Sequence, residues 1–116
     1  MVTAFGKELR KIRLDNNELL KDMADNLEIT PAYLSAIENG KKKPTAFLVE
    51  KVIEEYSLLD DTVNHLMESY YRTIEEISLN AIGMTSQQFD MGLVLARKLN
   101  ELDSEQIEDI LRILNK

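Results

Sequence analysis

The stretch Leu20–Gly40, LKDMADNLEITPAYLSAIENG, followed at once by Lys41-Lys42-Lys43, decides the fold. Apolar residues fall at Leu20, Met23, Ala24 and Leu27, and again at Tyr33, Leu34 and Ile37, so two short helical patterns each present one face for burial. Only Glu28 and Ile29 separate them, with Thr30 placed to cap the second helix and Pro31 suited to its first turn. Asn39-Gly40 closes that helix, because Asn and Gly tolerate the left-handed conformation of a C-terminal cap. Two helices joined by so tight a turn have the sequence form of a helix-turn-helix, whose second helix is the one that enters the major groove of DNA.

Working outward, Thr3 is placed to cap a helix running to about Asn16, with Phe5, Leu9 and Ile12 on one face. After the Lys41–Lys43 loop, Pro44 and Thr45 start a helix to about Tyr56, in which Phe47, Leu48, Val52 and Ile53 are expected to face inward. Asp60 or Asp61 then caps a longer helix to about Ser78, striped by Val63, Leu66, Met67, Tyr70, Ile74 and Ile77. At about 1.5 Å per residue such a helix is roughly 25 Å long, enough to leave the head or meet a second subunit.

Leu79–Met84 loses the helical period, contains Gly83, and reads as an extended connector or short strand. Thr85 with Gln88 is a capping box opening a helix with Phe89, Leu93, Ala96 and Leu99 on one face. A second box, Asp103 with Gln106, is bracketed by Leu102 and Ile107 as a hydrophobic staple and opens a last helix bearing Ile107, Ile110, Leu111 and Leu114. The fold class is therefore all-α. A helix-turn-helix head is expected over residues 1–58, and over 59–116 a long helix, a connector and a helical hairpin for dimerisation or partner binding.

The net charge of −7 at first argues against nucleic acid, whose binding is driven by Lys and Arg releasing counterions. The distribution reverses that impression. Residues 1–44 carry eight Lys or Arg against seven Asp or Glu, and residues 45–116 carry six against fourteen. An acidic distal half would turn away from DNA and leave the near-neutral half, with its lysine cluster, to face it.

No apolar run approaches the ~20 residues needed to span a bilayer, and Met1–Arg10 lacks the apolar core of a signal peptide. With no cysteine to staple or to hold a metal, the chain reads as a cytoplasmic protein. Enzyme chemistry finds no foothold: His65 is the only histidine, and neither a zinc-binding HExxH nor a P-loop is present. The pairs Glu54-Glu55, Asp60-Asp61 and Glu75-Glu76 point different ways on helices or caps and read as solvated faces. No metal or cofactor is expected, and Arg10 and Lys11 read as surface charges.

The pattern AxxLxITPAYLSAIENGKKKP over residues 24–44 resembles the lambda-repressor-like (Cro-type, or XRE) family of helix-turn-helix regulators. Ala24, Ile29, Tyr33-Leu34-Ser35, Ile37-Glu38-Asn39-Gly40-Lys41 and Pro44 carry the resemblance. It implies a five-helix head over residues 3 to about 76, and residues 79–116 look, more loosely, like the tail of small regulators of this family. It further implies that Thr30, Pro31, Ala32, Tyr33, Ser35 and Ala36 face the groove, that Asn39, Lys41, Lys42 and Lys43 meet phosphates, and that Arg13 and Glu38 form a structural ion pair. Tyr33 is double-edged: its spacing from Leu34 and Ile37 suits partial burial, and its hydroxyl would reach either a phosphate or solvent.

Three departures from that family matter. Leu19 and Leu20 stand where a Ser or Thr and a Gln usually hold phosphate and touch a base, although backbone amides at a helix start still favour an anion. Glu28 stands where Gly is usual in the turn, a cost of about 1–2 kcal/mol if the left-handed conformation is required. Pro31, Ala32 and Ala36 offer no hydrogen bonds to base edges, so direct readout is thin, and methyl contacts and DNA shape must contribute. The expected function is a sequence-specific transcriptional regulator, a repressor binding an inverted repeat of double-stranded DNA as a homodimer. The alternatives are an antitoxin whose acidic C-terminal half holds a protein partner, or an interaction module of the same fold without DNA binding.

Overall fold

The computed structural model describes residues 1–116 as seven α-helices with no strand. In chain order they are α1 (Ala4–Asp15), α2 (Leu20–Asn26), α3 (Pro31–Glu38), α4 (Ala46–Glu55), α5 (Asp60–Ile74), α6 (Ser86–Lys98) and α7 (Ser104–Leu114), with a 3₁₀ turn at Leu99–Glu101 after α6. The chain divides into two compact units, Met1–Ile77 and Ser78–Lys116.

Every helix of the first unit ends on a local signal, and three of the five begin on one. The hydroxyls of Thr3, Thr30 and Thr45 accept from the N–H groups of Gly6, Tyr33 and Leu48 at 3.0, 3.1 and 3.1 Å, satisfying donors that the first turn of a helix leaves free. At the other ends, α1 to α5 are followed by residues with positive φ, namely Asn17, Glu28, Gly40, Ser57 and Glu75. The next amide then reaches back five residues: Glu18 to the Arg13 carbonyl at 2.9 Å, Ile29 to Ala24 at 3.0 Å, Lys41 to Ala36 at 2.9 Å, Leu58 to Ile53 at 3.2 Å and Glu76 to Tyr71 at 3.3 Å. Gly40 is the one glycine among the five positions. The other four hold a Cβ in the left-handed region, a cost of about 1–2 kcal/mol each that the tertiary packing must offset.

That packing is one core. Phe5, Leu9 and Ile12 of α1 meet Met23, Ala24, Leu34 and Ile37 of the helix-turn-helix, Leu48, Val49 and Val52 of α4, and Leu66 and Tyr70 of α5. The most extensive helix pair is α1 with α5. Phe5 and Tyr70 meet edge to face with ring centroids 6.1 Å apart, and the Phe5 amide donates to Thr73 Oγ1 at 3.1 Å. The first unit therefore runs past residue 58 to Ile77, because α5 supplies part of its interior.

Several local expectations are corrected. Phe47 is 72 % exposed, and Val49 takes the inward place, because α4 turns residues 48, 49 and 52 to the core and leaves 47 off that face. Leu59, not an aspartate, is the N-cap of α5; Asp60 and Asp61 lie in its first turn, where their charge favours the positive end of the helix dipole. The same helix stops at Ile74, so Ile77 falls outside it and is exposed. Residues 79–84 hold only a turn and no strand.

The second unit keeps its expected helix starts. Thr85 Oγ1 accepts from Gln88 N at 3.1 Å while the Gln88 side chain accepts from Thr85 N at 2.9 Å, and Asp103 and Gln106 repeat the exchange at 2.8 and 3.0 Å. No residue of this unit is buried. No helix of the chain is long and apolar enough to cross a membrane.

Candidate nucleic-acid interface

The turn between α2 and α3 is built on Glu28, whose φ of 59° puts it in the left-handed region, where a glycine would carry no Cβ penalty. Its carboxylate accepts from Lys51 Nζ of α4 at 2.8 Å. The ammonium holds the Glu28 carboxyl below the usual carboxylate range, first through that hydrogen bond and then through its charge. Ile29 packs on the core and carries the chain into Thr30, the α3 cap.

The C-terminal end of α3 is held to α1 from several directions. Glu38 is 1 % exposed. Its carboxylate accepts from Arg13 Nη1, from Arg13 Nη2 at 3.1 Å and from Arg10 Nε at 3.3 Å. Its backbone carbonyl accepts from Thr3 N at 2.9 Å and from Thr3 Oγ1 at 3.3 Å. Gly6 lies directly over this carbonyl, and a Cβ added there would sit 2.4 Å from the Glu38 oxygen. The two helices thus approach as closely as backbone allows, which fixes the direction in which α3 projects.

Along α3 the outward surface runs from Thr30 through Pro31 and Ala32, all exposed, to Tyr33, Ser35 and Ala36, which are half-buried. The Thr30 hydroxyl is engaged as the cap acceptor and keeps its proton for a donor role. Tyr33 packs its ring against the core, and Lys42 Nζ lies 5.9 Å from the centroid of that ring, within cation–π range. Asn39 turns its amide nitrogen back to the Ser35 carbonyl at 2.9 Å and to Ser35 Oγ at 3.4 Å, so its donor side is spent on the helix end.

Lys41, Lys42 and Lys43 follow as three exposed cations in a short loop. Gly40, with φ of 77°, anchors the loop at one end, and buried Pro44 anchors it at the other. The amides of Lys41 and Lys42 both donate to the Ala36 carbonyl, at 2.9 and 3.2 Å. Three positive charges are thereby held at the end of α3 by backbone geometry, with little chain entropy left to lose on meeting an anion.

The start of α2 is built differently. Leu19 caps it without a hydrogen-bonding side chain and is 65 % exposed, while the Asp22 carboxylate accepts from the Leu19 amide at 2.8 Å. That places a carboxylate at the helix end where a phosphate would sit. Three partners of Glu38 were missed in the sequence reading: Thr3, expected only as a cap, Gly6, and Arg10, expected as a surface charge but donating from Nε to the buried carboxylate. The spacing of Arg10 three residues before Arg13, on one helix face, is the pattern that points to the last. A further polar cluster lies behind α2, where Asn26 and the Tyr56 hydroxyl both donate to Glu18. Burial pushes the Tyr56 phenol up to about 12, with the Asn26 hydrogen bond opposing and the Glu18 carboxylate adding to the shift.

Comparison with known proteins agrees with this architecture. Residues 7–58, covering most of α1 through α4, match the helix-turn-helix family. No curated protein and no solved structure matches the chain. The head, residues 7–58, is thus a helix-turn-helix domain of the lambda-repressor-like (XRE) type, the kind found in DNA-binding transcriptional regulators.

Proposed function

We propose that the protein is a sequence-specific repressor that binds an inverted repeat as a homodimer in the cytoplasm. In this reading α3 lies in the major groove, with Thr30, Pro31, Ala32, Tyr33, Ser35 and Ala36 towards base edges and Lys41, Lys42 and Lys43 on the phosphates, where Asn39 joins them by giving up its side-chain bonds to Ser35. The supporting observation is the lysine loop, held between Gly40 and buried Pro44 at the end of a helix clamped to α1. With few hydrogen-bonding groups on α3, one head binds weakly. Two tethered heads gain effective concentration and demand two half-sites about one helical turn apart. The α6–α7 hairpin is the first candidate for the subunit contact and the outer stripe of α5 the second.

Binding to selected DNA over a range of salt tests the reading. Removing one phosphate-contacting lysine should lower the slope of log K against log salt by about 1, and the double charge reversal K41E/K43E should abolish detectable binding. Unchanged affinity in the double variant would overturn it. The exposed Leu19 and the alanine-lined α3 favour a second reading, an interaction module in which the same face meets a protein. In an antitoxin, by contrast, the acidic C-terminal half would hold a basic partner while the head represses the operon, so K41E/K43E would abolish DNA binding and leave the protein complex intact.

A further inference from the structure

Glu75 ends α5 in the left-handed conformation, with φ of 57°, and turns the chain back on the helix it has just left. The Glu76 amide donates to the Tyr71 carbonyl at 3.3 Å, and Ile77, although 79 % exposed, comes to line the same surface as Met67 and Tyr71. A groove of about 660 Å³ results, open to solvent on one side. Its volume falls within the roughly 300–1,000 Å³ that small-molecule sites occupy. The groove lies wholly within the unit Met1–Ile77.

Its floor is apolar and aromatic. Met67 and Tyr71 are half-buried and pack on the core beneath them, and the Tyr71 ring leans on Tyr70 with centroids 5.5 Å apart, so the ring face is held in place. The rim is acidic and under-neutralised. Glu68, Glu75 and Glu76 bring three carboxylates, and the one cation beside them, Arg72, is spent on Glu68, to which Nε and Nη2 donate at 3.1 and 3.0 Å. Neither Glu75 nor Glu76 takes part in an ion pair. Burial pushes the Tyr70 phenol up, and the Glu76 charge adds to that shift, so this carboxylate acts beside the ring pair. The wider field has the same sign, since residues 45–116 carry six Lys or Arg against fourteen Asp or Glu.

These features select among ligands. An anion would meet repulsion at the rim, and a neutral apolar molecule would leave two carboxylates without a counter-charge. The acidic groups do not converge as a metal cluster, and a bare metal ion or a wholly polar polyamine would leave Met67, Tyr71 and Ile77 uncovered. We propose that the groove binds a small lipophilic cation, an ammonium or phosphonium with an apolar body, which covers Met67 and Ile77 and sets its charge over the Tyr71 ring beside Glu75 and Glu76. The site stands apart from the DNA reading and from how the C-terminal unit associates. Its occupancy bears on the head, because Thr73, between Tyr71 and Glu75, takes the Phe5 amide at 3.1 Å and so joins this end of α5 to α1.

Titration of the full-length protein with tetraphenylphosphonium and with tetraphenylborate, ions alike in shape and opposite in charge, tests this by calorimetry and tyrosine fluorescence. The expected result is saturable binding of one phosphonium per chain, a raised thermal midpoint of the head, and no binding of the borate over the same range. E75Q/E76Q keeps the shape of the rim and removes its charge, and should weaken phosphonium binding roughly tenfold, the scale of two charge contacts near a surface. Tyr71→Leu keeps an apolar floor without the ring and should weaken it ~2–5-fold. Equal binding of the two ions would mean a merely greasy surface, and spermine binding as tightly as the phosphonium a merely acidic one; either overturns the proposal. So does phosphonium binding that E75Q/E76Q leaves unchanged, which would put the ligand elsewhere, or the absence of phosphonium binding, whether the groove is bare or covered by a second copy.

Discussion

The head, Met1–Ile77, and the C-terminal unit, Ser78–Lys116, are written in the same local code and reach different ends. The C-terminal unit opens both its helices, and the head three of its five, with a side chain that accepts from the third residue on, and both units carry apolar residues at helical spacing. In the head those residues converge from five helices on one core and bury Phe5, Leu9, Met23 and Leu34 completely; in the C-terminal unit they stay at the surface. Capping and periodicity decide where a helix forms. The number of faces that meet decides whether it has an interior. Closure differs too, since four head helices end on left-handed residues other than glycine, strain that a packed interior can hold and a bare hairpin does not carry.

The strongest way to break the comparison is to attack the head at its clamp. Glu38→Ala leaves the Arg13 guanidinium buried without its partner and should cost about 3–5 kcal/mol, read as a lower urea midpoint for the head. The mass of the full chain at high concentration should not change. A loss of association in step with the head would show that the two units are one folding entity.

A smaller effect sharpens the contrast in closure. Glu28→Gly removes the left-handed penalty in the turn at the loss of one exposed pair with Lys51, and should stabilise the head by about 1 kcal/mol in equilibrium unfolding. Destabilisation would mean that the Lys51 contact outweighs the backbone term.

The smallest effect is read in alkali. The folded-state pKa of Tyr56 lies above its unfolded value of 10.0, so the contribution of its neutral phenol is complete below about pH 10 and is lost as pH rises through about 12. Ultraviolet titration should show Tyr56 ionising late, a step that Tyr56→Phe removes, and the head should lose stability over that window. The C-terminal unit contains no tyrosine and should be indifferent to it.

The legible parts of this molecule were those written within a few residues of one another. Thr3, Thr30, Thr45, Thr85 and Asp103 announce their caps because donor and acceptor are three positions apart. The end of α5 was not legible, because Glu75 turns left-handed without a glycine to mark it. Phe47 was misplaced because the α4 pattern permits two inward faces, and only the packed neighbours select the one holding Val49. In the candidate site, family likeness paired Arg13 with Glu38 across 25 positions, but Thr3, Gly6 and Arg10 are brought to the same residue by the fold alone. The C-terminal hairpin shows the same limit, since each apolar stripe can be read while the surface that covers it cannot.

The clamp at Glu38 separates orientation from vocabulary. What aims α3 is its packing on α2 and the clamp of its buried end to α1, whereas Pro31, Ala32 and Ala36 carry neither clamp, cap nor fully buried side chain. Those three positions can be rewritten, with hydrogen-bonding residues at 32 and 36 for instance, without moving the helix that presents them. On the proposed reading of DNA by α3, the head is a holder with interchangeable type, and a new operator is reachable by changing letters while the press stays set.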